Sequence, residues 1–225
     1  MDKTQLRRHD LVYVSREGRQ EIFKQVSPHY AGEKLKLVEE VFLGKDDIPG
    51  FVRRSDAQAG CIPLGFVHYQ RLEGNRIRIG AYADLDEVEA VMTPYEVLAR
   101  KIYVADTKTD CLVTLAKLFE LAEVFDLHVG VLGSAALELL TGLPYTDDCS
   151  DIDLLLKPAP YDRLLAYYKA ARASFGGVNM DFELDLPNGY GVKLAEMFVG
   201  TSTVLGKSLV DVNLLNRKDV MQFLA

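Results

Sequence analysis

From Val178 to Leu186, apolar and polar side chains alternate without a break. Val178, Met180, Phe182, Leu184 and Leu186 share one parity, and Asn179, Asp181, Glu183 and Asp185 share the other. Alternation with a period of two belongs to a strand, whose successive side chains leave opposite faces. The segment therefore predicts a strand with one face in a core and its other face carrying carboxylates. Such a strand needs a sheet beside it and a layer beneath it.

The preceding sequence supplies both. A capping arrangement at Thr93-Pro94-Tyr95-Glu96, with Pro at the first helical position, opens a helical region. A longer helix is predicted from about Thr109 to Phe125, with Leu112, Leu115, Leu118, Phe119 and Ala122 at helical spacing. Val129 to Leu132 reads as a short apolar strand running through Gly133-Ser134 into a helix from Ala135 to Leu140. Asp151 to Leu156 reads as another strand, and Pro160 to Ala173 as an amphipathic helix carrying Leu164, Leu165, Tyr168 and Ala171. This order predicts an α+β unit with a mixed sheet and flanking helices over residues 93–225.

Residues 1–92 read instead as short strands and turns, a smaller β-rich N-terminal domain. Leu11 to Val14 is β-prone, and Ile62 to Val67 and Arg76 to Tyr82 flank a turn at Glu73-Gly74-Asn75, as in a hairpin. The net charge of -7 is uneven: residues 1–110 carry 17 Lys and Arg against 18 Asp and Glu, and residues 111–225 carry 9 against 15. A surface that tracks phosphates needs Lys and Arg, so the acidic second half argues against a nucleic-acid partner. The carboxylate excess fits either a solubilising surface or a metal site. The three cysteines, Cys61, Cys111 and Cys149, lack zinc spacing and read as reduced thiols of a cytoplasmic protein. The polar stretch Met1–Asp10 predicts no secretory leader, and no apolar run is long enough for a membrane span.

Three features carry chemistry. Gly133-Ser134 sits between a strand and a helix, where it is either a simple tight turn or a place where free N–H groups hold a phosphate oxygen. In Ser150-Asp151-Ile152-Asp153-Leu154-Leu155, a strand directs Asp151 and Asp153 to one face, where they repel unless a cation lies between them. Asp181 offers a third carboxylate to an Mg²⁺ site of oxygen ligands, although Glu183 and Asp185 share its face and leave the third ligand open. Each alone also fits an ordinary solvated strand or turn. Together they resemble the signature of the nucleotidyltransferase superfamily, in which metals held by aspartates activate an attacking hydroxyl and stabilise the leaving oxygen.

The run from Gly133 to Pro144 (GSAALELLTGLP), with Ser150 to Leu155 (SDIDLL), resembles the phosphoribosyl-dephospho-CoA transferases, the malonate decarboxylase holo-acyl-carrier-protein synthases. Arg8-His9-Asp10-Leu11, Phe51 to Arg54, Ile62 to Gly65, Met180 to Asp185 and Gly191 to Glu196 extend the likeness over most of the chain. Ala136, Asp185 and Met197 stand where the family often has Gly, Glu and Trp, and the chain has no Trp. The resemblance implies transfer of the phosphoribosyl-dephospho-CoA group from a triphosphoribosyl-dephospho-CoA donor to a serine of the apo acyl-carrier subunit of malonate decarboxylase. Pyrophosphate leaves. It implies Asp151 and Asp153 as the catalytic pair, Asp151, Asp153 and Asp181 as ligands of Mg²⁺, and Gly133 and Ser134 as the phosphate-holding residues.

Two other functions fit the same residues: a nucleotidyltransferase using an ordinary NTP, and a non-catalytic module of the same fold that binds a partner. Arg53, Arg54, Arg76 and Arg78 read either as contacts for a triphosphate or an acidic carrier, or as charges on a strand edge. Lys193 and Lys207 lie where they could approach a leaving group. His29, His68 and His128 share no ligand spacing and read as satisfied or exposed histidines.

Overall fold

A computed structural model describes residues 6–54, 60–101 and 109–224. The chain forms two compact units, one of Met1–Thr93 with Thr141–Tyr145 and one of Pro94–Leu140 with Thr146–Ala225.

The first unit is built on β1 (Leu11–Val14), α1 (Arg16–Val26), α2 (Gly32–Leu43), β2 (Gly50–Val52), β3 (Cys61–Leu72), β4 (Asn75–Asp84) and β5 (Val88–Met92). Its five strands form an antiparallel sheet in the order β4-β3-β2-β1-β5. The hairpin expected around Glu73-Gly74-Asn75 is present. Leu72 pairs with Asn75, and Glu73 and Gly74 between them have φ of 52° and 80°. Positive φ at both loop residues is what a two-residue turn matched to strand twist requires.

Reading this part as strands and turns misses two helices. They pack on each other and against β3 and β4. The side chain of Ser15 starts α1 by accepting from the Gly18 N–H at 2.9 Å. The buried face of α1 includes Gly18 and Arg19 beside Ile22 and Val26, so its apolar period is broken. Arg19 is 9% exposed and donates to the carbonyls of Phe42 and Val41 and to the Asp47 carboxylate. A polar side chain thus serves as a core strut by satisfying the C-terminal carbonyls of α2.

The second unit contains α3 (Pro94–Lys101), α4 (Asp110–Val124), β6 (Val129–Val131), α5 (Gly133–Thr141), β7 (Ile152–Leu156), α6 (Tyr161–Phe175), β8 (Met180–Asp185), β9 (Gly191–Lys193), β10 (Thr203–Lys207), β11 (Val212–Asn216) and α7 (Arg217–Met221). Its six strands run β11-β10-β9-β8-β7-β6. Only β7 and β8 are parallel, which makes the sheet mixed. A parallel pair needs a crossover, and α6 provides it. The α+β class read from the sequence is the class observed.

One sheet face lies under α4 and α6. Tyr167 is fully buried, donates to the Leu118 carbonyl at 3.2 Å and meets the Phe182 ring edge-on at 5.9 Å. Met180, Phe182 and Leu184 are buried while Asp181 is exposed, as the alternation demands. At one end of the opposite face, Tyr95, Leu132 and Leu155 form a buried cluster. There α3 crosses β6 so closely that a Cβ on Gly130 would lie 2.8 Å from the Pro94 carbonyl carbon and the Tyr95 nitrogen. Among the described residues, no helix is long and apolar enough to cross a membrane.

Candidate active site

The open face of the second sheet carries the site, and strand register assembles it. Asp153 on β7 and Asp181 on β8 are direct register partners, so their side chains leave the sheet together. The carbonyl of Asp153 accepts from the Leu132 N–H at 2.9 Å, which fixes β7 against the chain entering α5. Gly133 follows with φ of 64°, a conformation that L side chains rarely adopt. A Cβ there would lie 2.7 Å from Oδ2 of Asp153. Gly133 thus makes room for a carboxylate, a role beyond that of a tight turn. Ser134 is half-buried in the first turn of α5, whose opening N–H groups have no helical partner.

Asp151 stands just outside the strand, beside Asn179, which shares the parity of Asp181. It precedes β7, is exposed, and accepts from the Asn179 amide at 2.9 Å. Asp181 forms an ion pair with Lys193 at 2.8 Å, both side chains being 50% exposed. Its carboxylate holds the Lys193 proton and raises the amine above its ordinary value. The three aspartates therefore do not converge on one point: among the described residues, no group of three or more His, Cys, Asp or Glu is placed to hold a metal ion.

The choice left open on β8 narrows. Asp185 is 13% exposed, bound by Lys157 and by the Tyr95 hydroxyl at 3.1 Å, and so belongs to the covered end of the sheet. Glu183 lies across from Leu155 on one side and Lys193 on the other. Asp181 is the β8 carboxylate level with Asp153.

The donor chemistry fits a hard divalent cation. Mg²⁺ is commonly held by one or two carboxylates, with water and substrate phosphates completing its shell. Asp153 and Asp181 supply such a pair, and only a residue without a Cβ fits at position 133 against the Asp153 oxygen. The local potential is negative as well. Burial first, then the carboxylates of Glu138, Asp147, Asp153 and Asp151, push the Cys111 thiol from 9.0 up to about 12.

The other candidates lie elsewhere. Arg53 donates to the Leu64 carbonyl at 3.2 Å and Arg76 to the carbonyls of Tyr69 and Tyr145, all within the first unit. His68 is a satisfied core histidine. Its Nε2 meets Glu40 at 3.0 Å and its Nδ1 accepts from the Gln70 N–H at 3.1 Å, while burial lowers its pKa. The sequence suggested Lys193 only as a group near the leaving phosphate, and gave no sign of its pairing with Asp181 or of Asn179 beside Asp151. Their side-chain partners depend on β7–β8–β9 register, which the sequence does not print.

An α+β protein with two carboxylates on adjacent parallel strands beside a glycine-opened helix is the class these features define. Comparison with known proteins carries this further. Residues 97–218 match the phosphoribosyl-dephospho-CoA transferase MdcG C-terminal domain, and residues 7–94 match the corresponding N-terminal domain. The chain belongs to the phosphoribosyl-dephospho-CoA transferase family. It is 31% identical over 143 residues to a phosphoribosyl-dephospho-CoA transferase of Bradyrhizobium diazoefficiens. That alignment spans 62% of this chain and 62% of the length of that relative. No solved structure matches the chain.

Proposed function

We propose that this protein transfers the phosphoribosyl-dephospho-CoA group from its triphosphate precursor to a serine of the apo acyl-carrier subunit of malonate decarboxylase, in the cytoplasm. The observation that carries the reading is the Asp153–Asp181 rung beside Gly133, in a chain matched by both domain models of the transferase family. The serine oxygen bonds to the α-phosphorus, the bond from that phosphorus to the bridging oxygen breaks, and pyrophosphate departs. The serine proton passes to a carboxylate of the site. Asp151 and Asp153 act as the catalytic pair.

Asp153 and Asp181 would hold Mg²⁺, with Asp151 joining them once its carboxylate leaves Asn179. When bound, the ion neutralises phosphate charge and lowers the cost of forming the attacking oxyanion. Gly133 and Ser134 offer N–H groups at the start of α5 to a donor phosphate oxygen. In-line displacement at phosphorus is mainly a matter of positioning and charge stabilisation, which a rigid strand pair and a helix start provide.

The test is a reaction of purified protein, Mg²⁺, donor and apo carrier, followed by pyrophosphate release and by the mass of the carrier. Stoichiometric release with the matching mass gain is expected, with no product from ordinary NTPs. Asp153→Asn should reduce turnover by more than the roughly 10–100-fold typical of outer-shell changes at metal sites. Near-normal turnover of that variant, or modification of the carrier from NTPs alone, sinks the proposal.

A further inference from the structure

The face that bears Asp153 and Asp181 continues across the sheet with a change of sign. Cross-strand partners share a face, as do residues two apart on one strand. Glu183 pairs with Lys193, Asp185 with Gly191, and Gly191 with Lys207. Asp153, Asp181, Glu183, Lys193 and Lys207 therefore stand on one side of β7 to β10, with the lysines beyond the carboxylates. Glu183, Gly191, Lys193, Glu196, Leu205 and Lys207 line a notch of about 30 Å³. Glu196 is engaged there by the Leu205 N–H at 2.9 Å. Gly191, opposite Lys207, has no side chain to fill the space. Among the described residues, Lys207 forms no ion pair.

Resting on the reading of Asp153 and Asp181 as metal ligands, we propose that Lys193 is a displaceable counter-ion of Asp181 and, with Lys207, forms the binding subsite for the leaving pyrophosphate. Without a divalent ion, the Lys193 ammonium neutralises Asp181 at 2.8 Å. A pair half-exposed at both ends is weakly held, because water competes with it and salt screens it. Asp153 and Asp181 would hold a divalent cation, and the Asp181 carboxylate so engaged would release the Lys193 ammonium. The released charge would stand on β9, one strand from Asp181 and near Lys207, where an anionic leaving group needs compensation. Metal binding and the making of the pyrophosphate subsite are then one event, so the donor is held fully only when the cation is present. No bond is made or broken by either lysine; both bind phosphate oxygens through charged N–H donors.

The experiment measures Mn²⁺ binding by the loss of its free-ion resonance signal, and inorganic pyrophosphate binding by calorimetry with Mg²⁺ present, on the full chain. Removing the competing ammonium in Lys193→Met should tighten Mn²⁺ binding in the absence of pyrophosphate by about twofold or more. Lys207→Met should leave Mn²⁺ binding unchanged. Each variant should weaken pyrophosphate binding about tenfold, the usual effect of losing a charged hydrogen bond. Lys193→Arg, which keeps the charge, should restore wild-type Mn²⁺ affinity. Unchanged or weaker Mn²⁺ binding in Lys193→Met overturns the counter-ion role, and unchanged pyrophosphate binding in both variants overturns the subsite. If the wild-type protein shows no Mn²⁺ binding that Asp153→Asn abolishes, the metal-ligand reading itself fails and takes the inference with it.

Discussion

At Cys111, position and surroundings decide the behaviour of a side chain that the sequence records only as one thiol of three. It is 2% exposed, and burial together with four carboxylates moves its ionisation from 9.0 to about 12. In the unfolded chain the thiol ionises near its ordinary value, while in the native protein it keeps its proton. Between those limits the unfolded state has fewer bound protons, so stability falls as pH rises above 9, with a slope of up to about 1.4 kcal/mol per pH unit. Urea midpoints at pH 8 and 10 should show this fall, and Cys111→Ala should make it shallower. Equal falls in both proteins would show that the thiol titrates normally. Native Cys111 should likewise resist alkylation under conditions that modify the exposed Cys149.

At the scale of elements, the site depends on how the start of α5 meets β7. Alanine at position 133 faces both a φ of 64° and an Asp153 oxygen 2.7 Å from its Cβ. Gly142 is an internal control: its φ is 70°, but a Cβ there meets nothing within 4 Å. Both Gly→Ala variants should lose about 1–2 kcal/mol from backbone strain, read as a fall in melting temperature. Only Gly133→Ala should also lower turnover and Mn²⁺ affinity, because only it displaces a carboxylate. Equal retention of both properties in the two variants would remove Gly133 from the site. The same scale shows what sequence patterns convey. The β8 alternation, the β3–β4 turn, the helical spacing of α4 and the strand-Gly-helix step to α5 were legible because each is a local rule obeyed by nearby residues. The helices α1 and α2 were not, since α1 buries Gly18 and Arg19 in place of apolar side chains. Its partners, the carbonyls of Phe42 and Val41, come from more than twenty residues away.

For the whole molecule, the informative residues are Thr141–Tyr145, which begin at the last residue of α5 but belong to the compact unit formed by the first 93 residues. Tyr145 is fully buried there. Its hydroxyl donates to the Val67 carbonyl at 2.7 Å, and its carbonyl accepts from Arg76. Burial raises its phenol pKa, with Arg76 opposing the shift. Tyr145→Ala should cost the first unit about 3–5 kcal/mol, in the range for deleting a large buried aromatic side chain. Amide exchange in β3 and β4 should accelerate accordingly, and Tyr145→Phe should have a smaller effect through the lost hydrogen bond alone. Unaltered exchange in those strands would show that the segment is not part of that unit's core. A linear cut near residue 93 would separate the first unit from this tyrosine, a consequence invisible in composition or periodicity.

By itself the sequence determined the α+β class, the strand that exposes Asp181, the glycine that opens α5 and the family to which the chain belongs, because these follow from local spacing and residue chemistry. Tertiary structure decided which carboxylates share a rung. It aligned Asp153 with Asp181, turned Asp151 toward Asn179, assigned Asp185 to Lys157 and Tyr95, and brought Lys193 against Asp181. The alternation of a strand says which way a side chain points, whereas register says what stands opposite it. Register comes from the crossover through α6 and the packing of α4 and α6 on the sheet. The uneven charge of the second half thereby acquires a layout, carboxylates at β7 and β8 and lysines at β9 and β10, that no count of residues contains.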